Sequence, residues 1–296
     1  MLLEVTENNK SLNKRSCVKT KFCFVTVLFF CKFEMERAMK ILAIGDIVGR
    51  VGRDAVISYL ERHRSEYDLV IANGENSTHG RGLSKPVYQE LIKFGIDGLT
   101  MGNHTWGCPD VENIMKYNRN VIRPANFDRS CPGKGSMILK TEKGVSVGII
   151  NIIGRVYMPM SFDSPFTAVE REIAFLKEKT DVIVVDFHAE ATSEKVAMGY
   201  YLDSKVAAVF GTHTHVQTAD ETILPGGTGY ITDLGMTGAV HSVLGMDKRI
   251  IVNRFLNGMP SKFELATGKG QFCGCEFEID ETSGKTVAVK RIFERG

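Results

Sequence analysis

The chain has 296 residues, of which 43% are hydrophobic and 24% are charged, with a formal net charge of +2. This composition is that of a globular protein that can bury a substantial core, and one large α/β domain is the simplest fit. Residues 1–40 contain eight Lys or Arg and four Asp or Glu, so the rest of the chain is close to −2. That remainder lacks the basic footprint of a protein that binds nucleic-acid backbones, and no polymer substrate is implied.

The first 38 residues are interpreted as an N-terminal extension. Basic residues precede an apolar run from Phe22 to Cys31, which imitates the start of a signal peptide. The run is too short to span a bilayer, and no small-x-small cleavage site follows it. Because Met39 directly precedes the first predicted strand, we favour an upstream extension over an export signal. We expect residues 39–296 to form a single domain without a membrane segment.

From residue 40 onward, apolar strand segments alternate with amphipathic helical segments, which is typical of βαβ units and a largely parallel sheet. The predicted strands are residues 40–44, 69–72, 98–101, 145–153, 181–187, 206–210 and 229–233. The predicted helices are residues 54–67, 84–94 with Ser84 as N-cap, 167–179 and 192–202.

After residue 260 the pattern changes to alternating apolar and polar residues. Residues 261–265, 272–279 and 286–292 predict antiparallel strands that close a second sheet. We therefore expect an α/β fold with a two-sheet core and helices outside. Cys273 and Cys275 are interpreted as ordinary strand residues. The odd total of seven cysteines favours reduced thiols and a cytoplasmic location.

Polar side chains follow five of the predicted strands at the point where each strand ends. Open α/β sheets place their chemistry at the carboxyl ends of strands, so we expect these side chains to meet at one site. Carboxylate, amide and imidazole ligands without thiolate suit Mn, Fe or Zn, but are poorly matched to Ca or to Mg alone. The candidate ligands are Asp46, Glu75, Asn76, Asn103, His188, His213 and His215.

Seven donors are too many for one tetrahedral ion and fit two ions that share a bridging carboxylate, as in two-metal phosphoesterase sites. A hydroxide between the ions would be the nucleophile. Taken singly, Asp46 reads equally well as a turn residue and His188 as a hydrogen-bonded core histidine. Their joint placement at strand ends favours the metal site. A dinucleotide site at Gly45, Gly49 and Gly52 is disfavoured, because the glycine spacing is wrong.

The order of these motifs resembles the calcineurin-like metallophosphoesterase superfamily, and within it the YmdB-like branch of 2',3'-cyclic-nucleotide 2'-phosphodiesterases. The superfamily has Asp-x-His where this chain has Asp46-Ile47-Val48, and Gly-Asp-x-x-Asp where it has Gly74-Glu75-Asn76. Both departures are features of the YmdB-like branch. The likeness covers residues 39–294 and includes segments 71–76, 100–106, 123–126, 186–195 and 211–220.

The resemblance implies the four-layer α/β/β/α metallophosphoesterase fold and a metal-dependent phosphoric diester hydrolase. The cofactors it implies are two divalent or mixed-valence metal ions, Fe or Mn in preference to Zn or Mg. His104 would donate a proton to the leaving ribose oxygen, or stabilise charge on the phosphoryl oxygens. By the same resemblance, Asp46, Asn76 and His215 would hold the first ion, Asn103, His188 and His213 the second, and Glu75 would bridge them.

The expected partner is a small-molecule cyclic nucleotide or another phosphodiester, and the residues leave the 2',3' and 3',5' isomers open. Two other functions also remain open. One is a 5'-nucleotidase-type phosphomonoesterase, and the other is a regulatory protein that binds a nucleotide with little turnover. The resemblance further implies a homo-oligomer, but no residue pattern identifies its interface.

Overall fold

Two mixed β-sheets pack face to face in the computed structural model, which describes residues 38–159 and 163–296. Met39, Ile41, Val184, Phe210 and Phe277 belong to the hydrophobic cluster between the sheets. The predicted α/β architecture with a two-sheet core is confirmed. Residues 1–37 of the predicted extension lie outside the described residues, so the domain boundary remains a prediction.

The first sheet has eight strands. They are β1 (Ala38–Ile44), β2 (Asp46–Ile47), β3 (Leu69–Asn73), β4 (Gly98–Thr100), β5 (Val121–Ile122), β12 (Met236–Ala239), β13 (Gly270–Asp280) and β14 (Thr286–Arg295). Their order is β2-β12-β13-β1-β3-β4-β5, with β14 also paired to β13. The neighbours β1, β3, β4 and β5 are parallel, so their carboxyl ends lie at one edge of the sheet.

The second sheet has six strands. They are β6 (Ser136–Lys140), β7 (Ser146–Ile153), β8 (Val182–His188), β9 (Ala208–Thr212), β10 (Thr222–Ile223) and β11 (Gly229–Ile231). Their order is β10-β11-β9-β8-β7-β6, and β7, β8, β9 and β11 run parallel. β8 is buried along its whole length, which explains its continuous apolar run at residues 182–185.

Six α-helices lie within the described residues. They are α1 (Gly49–His63), α2 (Lys85–Lys93), α3 (Asp110–Tyr117), α4 (Pro165–Lys177), α5 (Thr192–Leu202) and α6 (Lys248–Asn257). Residues of α1, α2 and α3 pack on the outer face of the first sheet, and residues of α4 and α5 pack on the second. Among the helices of residues 38–159 and 163–296, none has the length and apolar character to cross a membrane.

The first helix begins five residues earlier than predicted, at Gly49 rather than Asp54. Gly49 has a φ of +58°, and a Cβ at Gly52 would lie 2.3 Å from the carbonyl oxygen of Thr237. These glycines resemble loop residues in the sequence. In the fold they allow the helix to start and to pack closely on β12.

The prediction for the carboxyl-terminal region is partly wrong. Residues 261–265 form no strand, and Leu265 makes only an isolated bridge to Met246. The hairpin of β13 and β14 extends the first sheet instead of closing the second, because β13 lies beside β1. Alternation identifies strands but not their partners. Cys273 and Cys275 lie buried in β13, as predicted for strand residues.

Candidate metal centre

Asp46 enters the site through a tight turn between β1 and β2. Its backbone NH donates to the carbonyl oxygen of Gly235 at 3.1 Å. A Cβ at Gly45 would lie 1.9 Å from that oxygen, so the turn requires glycine. The Asp46 side chain is completely buried and accepts the backbone NH of His213 through Oδ2 at 3.1 Å.

Glu75 and Asn76 lie in the turn that follows β3. The side-chain oxygen of Asn73 accepts the backbone NH of Glu75 at 3.1 Å, which is the local bond that favours Asn at such turns. The Nδ2 of Asn76 donates to the carbonyl oxygen of Gly80 at 3.1 Å, so its Oδ1 is directed elsewhere. Both side chains are buried and line a common cavity.

Asn103 and His104 follow β4 through Gly102. A Cβ at Gly102 would lie 2.3 Å from Nε2 of His188 and 2.5 Å from Oε2 of Glu75, so glycine leaves the space that these side chains use. The backbone NH of His104 donates to Oε2 of Glu75 at 2.7 Å. The turn thus joins the ends of β3 and β4.

The three remaining histidines come from the second sheet. His188 is the last residue of β8, and His213 and His215 follow β9 with φ values of 100° and 65°. Nδ1 of His215 donates to the carbonyl oxygen of Leu244 at 3.1 Å, and its Nε2 lies 4.0 Å from Oδ1 of Asp46. The strained loop therefore aims imidazole nitrogens at the first sheet.

The predicted donor atoms converge around His188. Its Nε2 lies 2.9 Å from Oδ1 of Asn103, 3.1 Å from Oε1 of Glu75 and 3.1 Å from Nδ1 of His213. Its Nδ1 lies 3.9 Å from Oδ1 of Asp46. His215 joins this contact network through its Nε2, which lies 4.0 Å from Oδ1 of Asp46, so the network includes six of the seven predicted ligands. Asn76, the seventh, lines the cavity that Glu75, His213 and His215 also line.

Two oxygen atoms of this cluster that could bind a metal are buried without a hydrogen-bond partner. They are Oδ1 of Asp46 and Oδ1 of Asn76. Buried polar atoms are nearly always paired in folded proteins, so these two oxygens indicate a cation site. Glu75, His188 and His213 also offer one ligand atom each within 4.8 Å of one another. The residues present fit divalent metal ions.

Burial controls the charge of the cluster. It raises the pKa of Asp46 and of Glu75, and neighbouring histidines partly oppose that rise. It lowers the pKa of His188 to about 4 and, with His188 nearby, the pKa of His213 to about 3. Both imidazoles are therefore neutral near pH 7 and retain a free lone pair, which is the form that binds metals.

A buried hydrogen-bond chain orients His188. Its Nδ1 lies 2.9 Å from Oγ1 of Thr212, which donates to Oδ1 of Asp186 at 2.7 Å. Oδ2 of Asp186 accepts from Thr100 at 2.5 Å and from Asn73 at 3.4 Å. Burial raises the pKa of Asp186 to about 7. Partners of this kind fix the ring orientation of metal-binding histidines.

A buried ion pair holds the loop of His213 and His215. Nζ of Lys195 lies 2.5 Å from Oδ2 of Asp233, and the same oxygen accepts the backbone NH of Thr214 at 3.2 Å. Oδ1 of Asp233 accepts the backbone NH of Gly235 at 2.8 Å. Because Gly235 also binds the backbone of Asp46, one carboxylate supports both sides of the cluster.

Two side chains that were not singled out from the sequence contact the cluster. Nε of Arg81 donates to Nδ1 of His104 at 3.1 Å, and Oε2 of Glu190 lies 3.1 Å from Nε2 of His213. A carboxylate two residues after His188 could have indicated Glu190. No pattern in the sequence relates Arg81 to His104.

Comparisons with known proteins identify relatives that match most of this chain. A Bacillus subtilis (strain 168) protein named 2',3'-cyclic-nucleotide 2'-phosphodiesterase is 46% identical over 86% of this chain and 97% of its own. A solved structure from Thermus thermophilus, described as a hypothetical protein, matches with a TM-score of 0.82 and 41% identity, over 87% of this chain and 99% of that one. The structure of a novel phosphatase from Mycoplasma pneumoniae matches with a TM-score of 0.81 and 37% identity, over 87% and 94% of the chains.

The two solved structures share the fold over 87% of this chain. The model of the YmdB-like protein family matches residues 42–292, a range that includes every candidate ligand and His104. This chain belongs to the YmdB-like protein family.

Proposed function

We propose that this protein is a dinuclear metal-dependent phosphodiesterase that hydrolyses cyclic nucleotides. The observation that carries the proposal is the convergence of buried carboxylates and neutral imidazoles from both sheets, with Oδ1 of Asp46 left unpaired among them. The name of the Bacillus subtilis relative supports a 2',3'-cyclic nucleotide as substrate. The 3',5' isomer is the alternative substrate.

The contacts support the division of ligands between two ions. Asn103 and His213 both contact Nε2 of His188, whereas His215 is directed at Asp46 and lines the same cavity as Asn76. Glu75 reaches His188 and offers the two carboxyl oxygens that a bridging group needs. When bound, the ions would stabilise negative charge on the phosphoryl oxygens and lower the pKa of a coordinated water. The mixed nitrogen and oxygen donors suit Fe, Mn or Zn, and the family resemblance favours Fe or Mn.

His104 is proposed as the residue that serves the leaving oxygen. It lines the cavity, and its backbone NH is fixed to Glu75. Because Arg81 donates to Nδ1, the ring hydrogen of neutral His104 is on Nε2. Both roles left open for His104, proton donor or stabiliser of phosphoryl charge, require a hydrogen on the nitrogen that meets the substrate.

The test is hydrolysis by protein purified and reloaded with Mn or Fe. We expect turnover of bis(p-nitrophenyl) phosphate and of cyclic nucleotides, with 2',3' isomers faster than 3',5' isomers. His213→Ala should abolish turnover of all of them. Metal-loaded protein with no diesterase activity, or with faster release of phosphate from nucleoside monophosphates, would refute the proposal in favour of binding or phosphomonoesterase function.

A further inference from the structure

The cavity beside the candidate metal centre has two kinds of lining. Glu75, Asn76, His104, His213 and His215 supply polar atoms, whereas Leu244, Met246, Phe263 and Leu265 supply apolar ones. The cavity volume is about 680 Å³, inside the range of roughly 300–1,000 Å³ typical of small-molecule sites. A ligand that uses the whole cavity must therefore combine a charged group with an apolar group.

The four apolar residues form a wall that the fold holds in place. Two segments, residues 243–247 and 263–266, are joined by backbone hydrogen bonds from Asp247 to Glu264 at 2.8 Å and from Ala266 to Gly245 at 2.9 Å. A Cβ at Gly80 would lie 2.8 Å from Leu265, so the wall also packs on the loop after β3. The wall belongs to the site and is not a separate surface.

Phe263 is the aromatic member of this wall, and it is 45% exposed. The guanidinium carbon of Arg254, in α6, lies 4.8 Å from the centre of its ring. This contact restrains the ring and covers part of it, while the side chain still lines the cavity. Leu244, which is 48% exposed, is tied to His215 through its carbonyl oxygen. An apolar surface is thus presented to solvent directly beside the polar cluster.

We propose that this apolar wall is a nucleobase subsite, with Phe263 as the stacking partner of the base. The inference rests on the proposed function. It identifies the nucleobase as a second part of the substrate that the protein recognises, besides the phosphate. A nucleobase is flat and apolar on its faces, and a ribose links it to the phosphate. Stacking on an aromatic ring tolerates every base, so the subsite selects nucleotides over other phosphodiesters without selecting one base. A phosphodiester without a base would leave the wall in contact with water.

The decisive experiment compares two substrates with the same reacting group. These are adenosine 2',3'-cyclic phosphate and methyl ribofuranoside 2',3'-cyclic phosphate, which lacks the base. We expect Phe263→Ala to lower kcat/KM for the nucleotide by roughly 10-fold, chiefly through KM, and to leave the base-free substrate within about twofold. Phe263→Trp should retain wild-type selectivity. Phe255→Ala is the matched control, because Phe255 is 85% exposed on α6 and does not line the cavity.

Binding of 2-aminopurine riboside provides a readout that is independent of hydrolysis. Stacking should quench its fluorescence with the wild-type protein and with Phe255→Ala, but not with Phe263→Ala. Equal effects of Phe263→Ala on both cyclic phosphates, or quenching that survives this substitution, would overturn the subsite and leave the phosphodiesterase proposal standing. Quenching without hydrolysis of either cyclic phosphate would instead refute the phosphodiesterase proposal and support the subsite.

Discussion

At the scale of single residues, His104 differs from its neighbours in the cavity. Its ring contacts Arg81, and only its backbone contacts Glu75. The His188 ring, in contrast, lies among Asn103, Glu75 and His213. Substitution of His104 therefore removes a ring from the cavity and leaves the predicted ligand contacts intact.

We expect His104→Ala to lower turnover of cyclic nucleotides by roughly 100-fold or more, because a positioned proton donor contributes about that much to the rate. Metal content, measured by elemental analysis, should equal that of the wild-type protein. His188→Ala is the comparison, since it should lose both metal and activity. Loss of metal from His104→Ala, or full activity, would contradict the assigned role.

At the scale of secondary-structure elements, the sequence predicts which candidate ligands lie close together better than it predicts the boundaries and pairing of the strands and helices. The sequence predicts that Asp46, Glu75, Asn103, His188 and His213 lie close together, because parallel strands end at a common edge and burial makes those strands visible as apolar runs. The pattern could not reveal that β13 and β14 extend the first sheet, since strand pairing depends on contacts distant in sequence. It also missed α3 and α6.

Arg81 and the apolar wall could not be predicted from the sequence, because their contacts also join residues that are distant along the chain. Arg81 meets His104 across 23 positions of chain, and the wall joins segments that form no regular element. The alternation of residues 261–265 is typical of a strand, but the structure has no strand there. In the fold, those alternate residues serve the cavity instead of a sheet.

The turn after β4 provides a test at this scale. We expect Gly102→Ala to weaken metal binding by roughly 10-fold or more, because the added methyl group would displace His188 and Glu75 from their present positions. Titration of metal into chelator-treated protein measures the effect, with far-UV circular dichroism as a check on folding. Gly144→Ala is the control, since nothing lies within 4 Å of its Cβ. Gly144→Ala should lower the free energy of unfolding, because alanine is strained at the φ of +85° that Gly144 adopts. It should leave metal affinity unchanged.

At the scale of the whole molecule, the candidate ligands connect the two sheets. Asp46, Glu75 and Asn103 are supplied by the first sheet, and His188 and His213 by the second. Ions bound among them would hold together layers that otherwise associate through the hydrophobic cluster between them. Metal occupancy should therefore contribute to global stability.

Removal of metal with a chelator should lower the melting temperature by on the order of 5–10 °C, measured by differential scanning calorimetry. The estimate follows from about 3 kcal/mol of stabilisation at a metal concentration near 100 times Kd, for a domain of this size. Addition of Mn should restore the transition. Elemental analysis should confirm that the chelator removes the metal and that added Mn restores it. If the melting temperature stays unchanged while the metal content changes, the ions do not link the sheets.

The loop segments that build the apolar wall contribute no candidate metal ligand; only the carbonyl oxygen of Leu244 touches one. On the proposed function and subsite, reaction chemistry and choice of substrate would be encoded in separate stretches of the gene, residues 46–215 and residues 243–266. Selection can alter the second stretch while the first is preserved. For an engineer, exchange of residues 243–266 between relatives is a route to new selectivity on an unchanged catalytic framework.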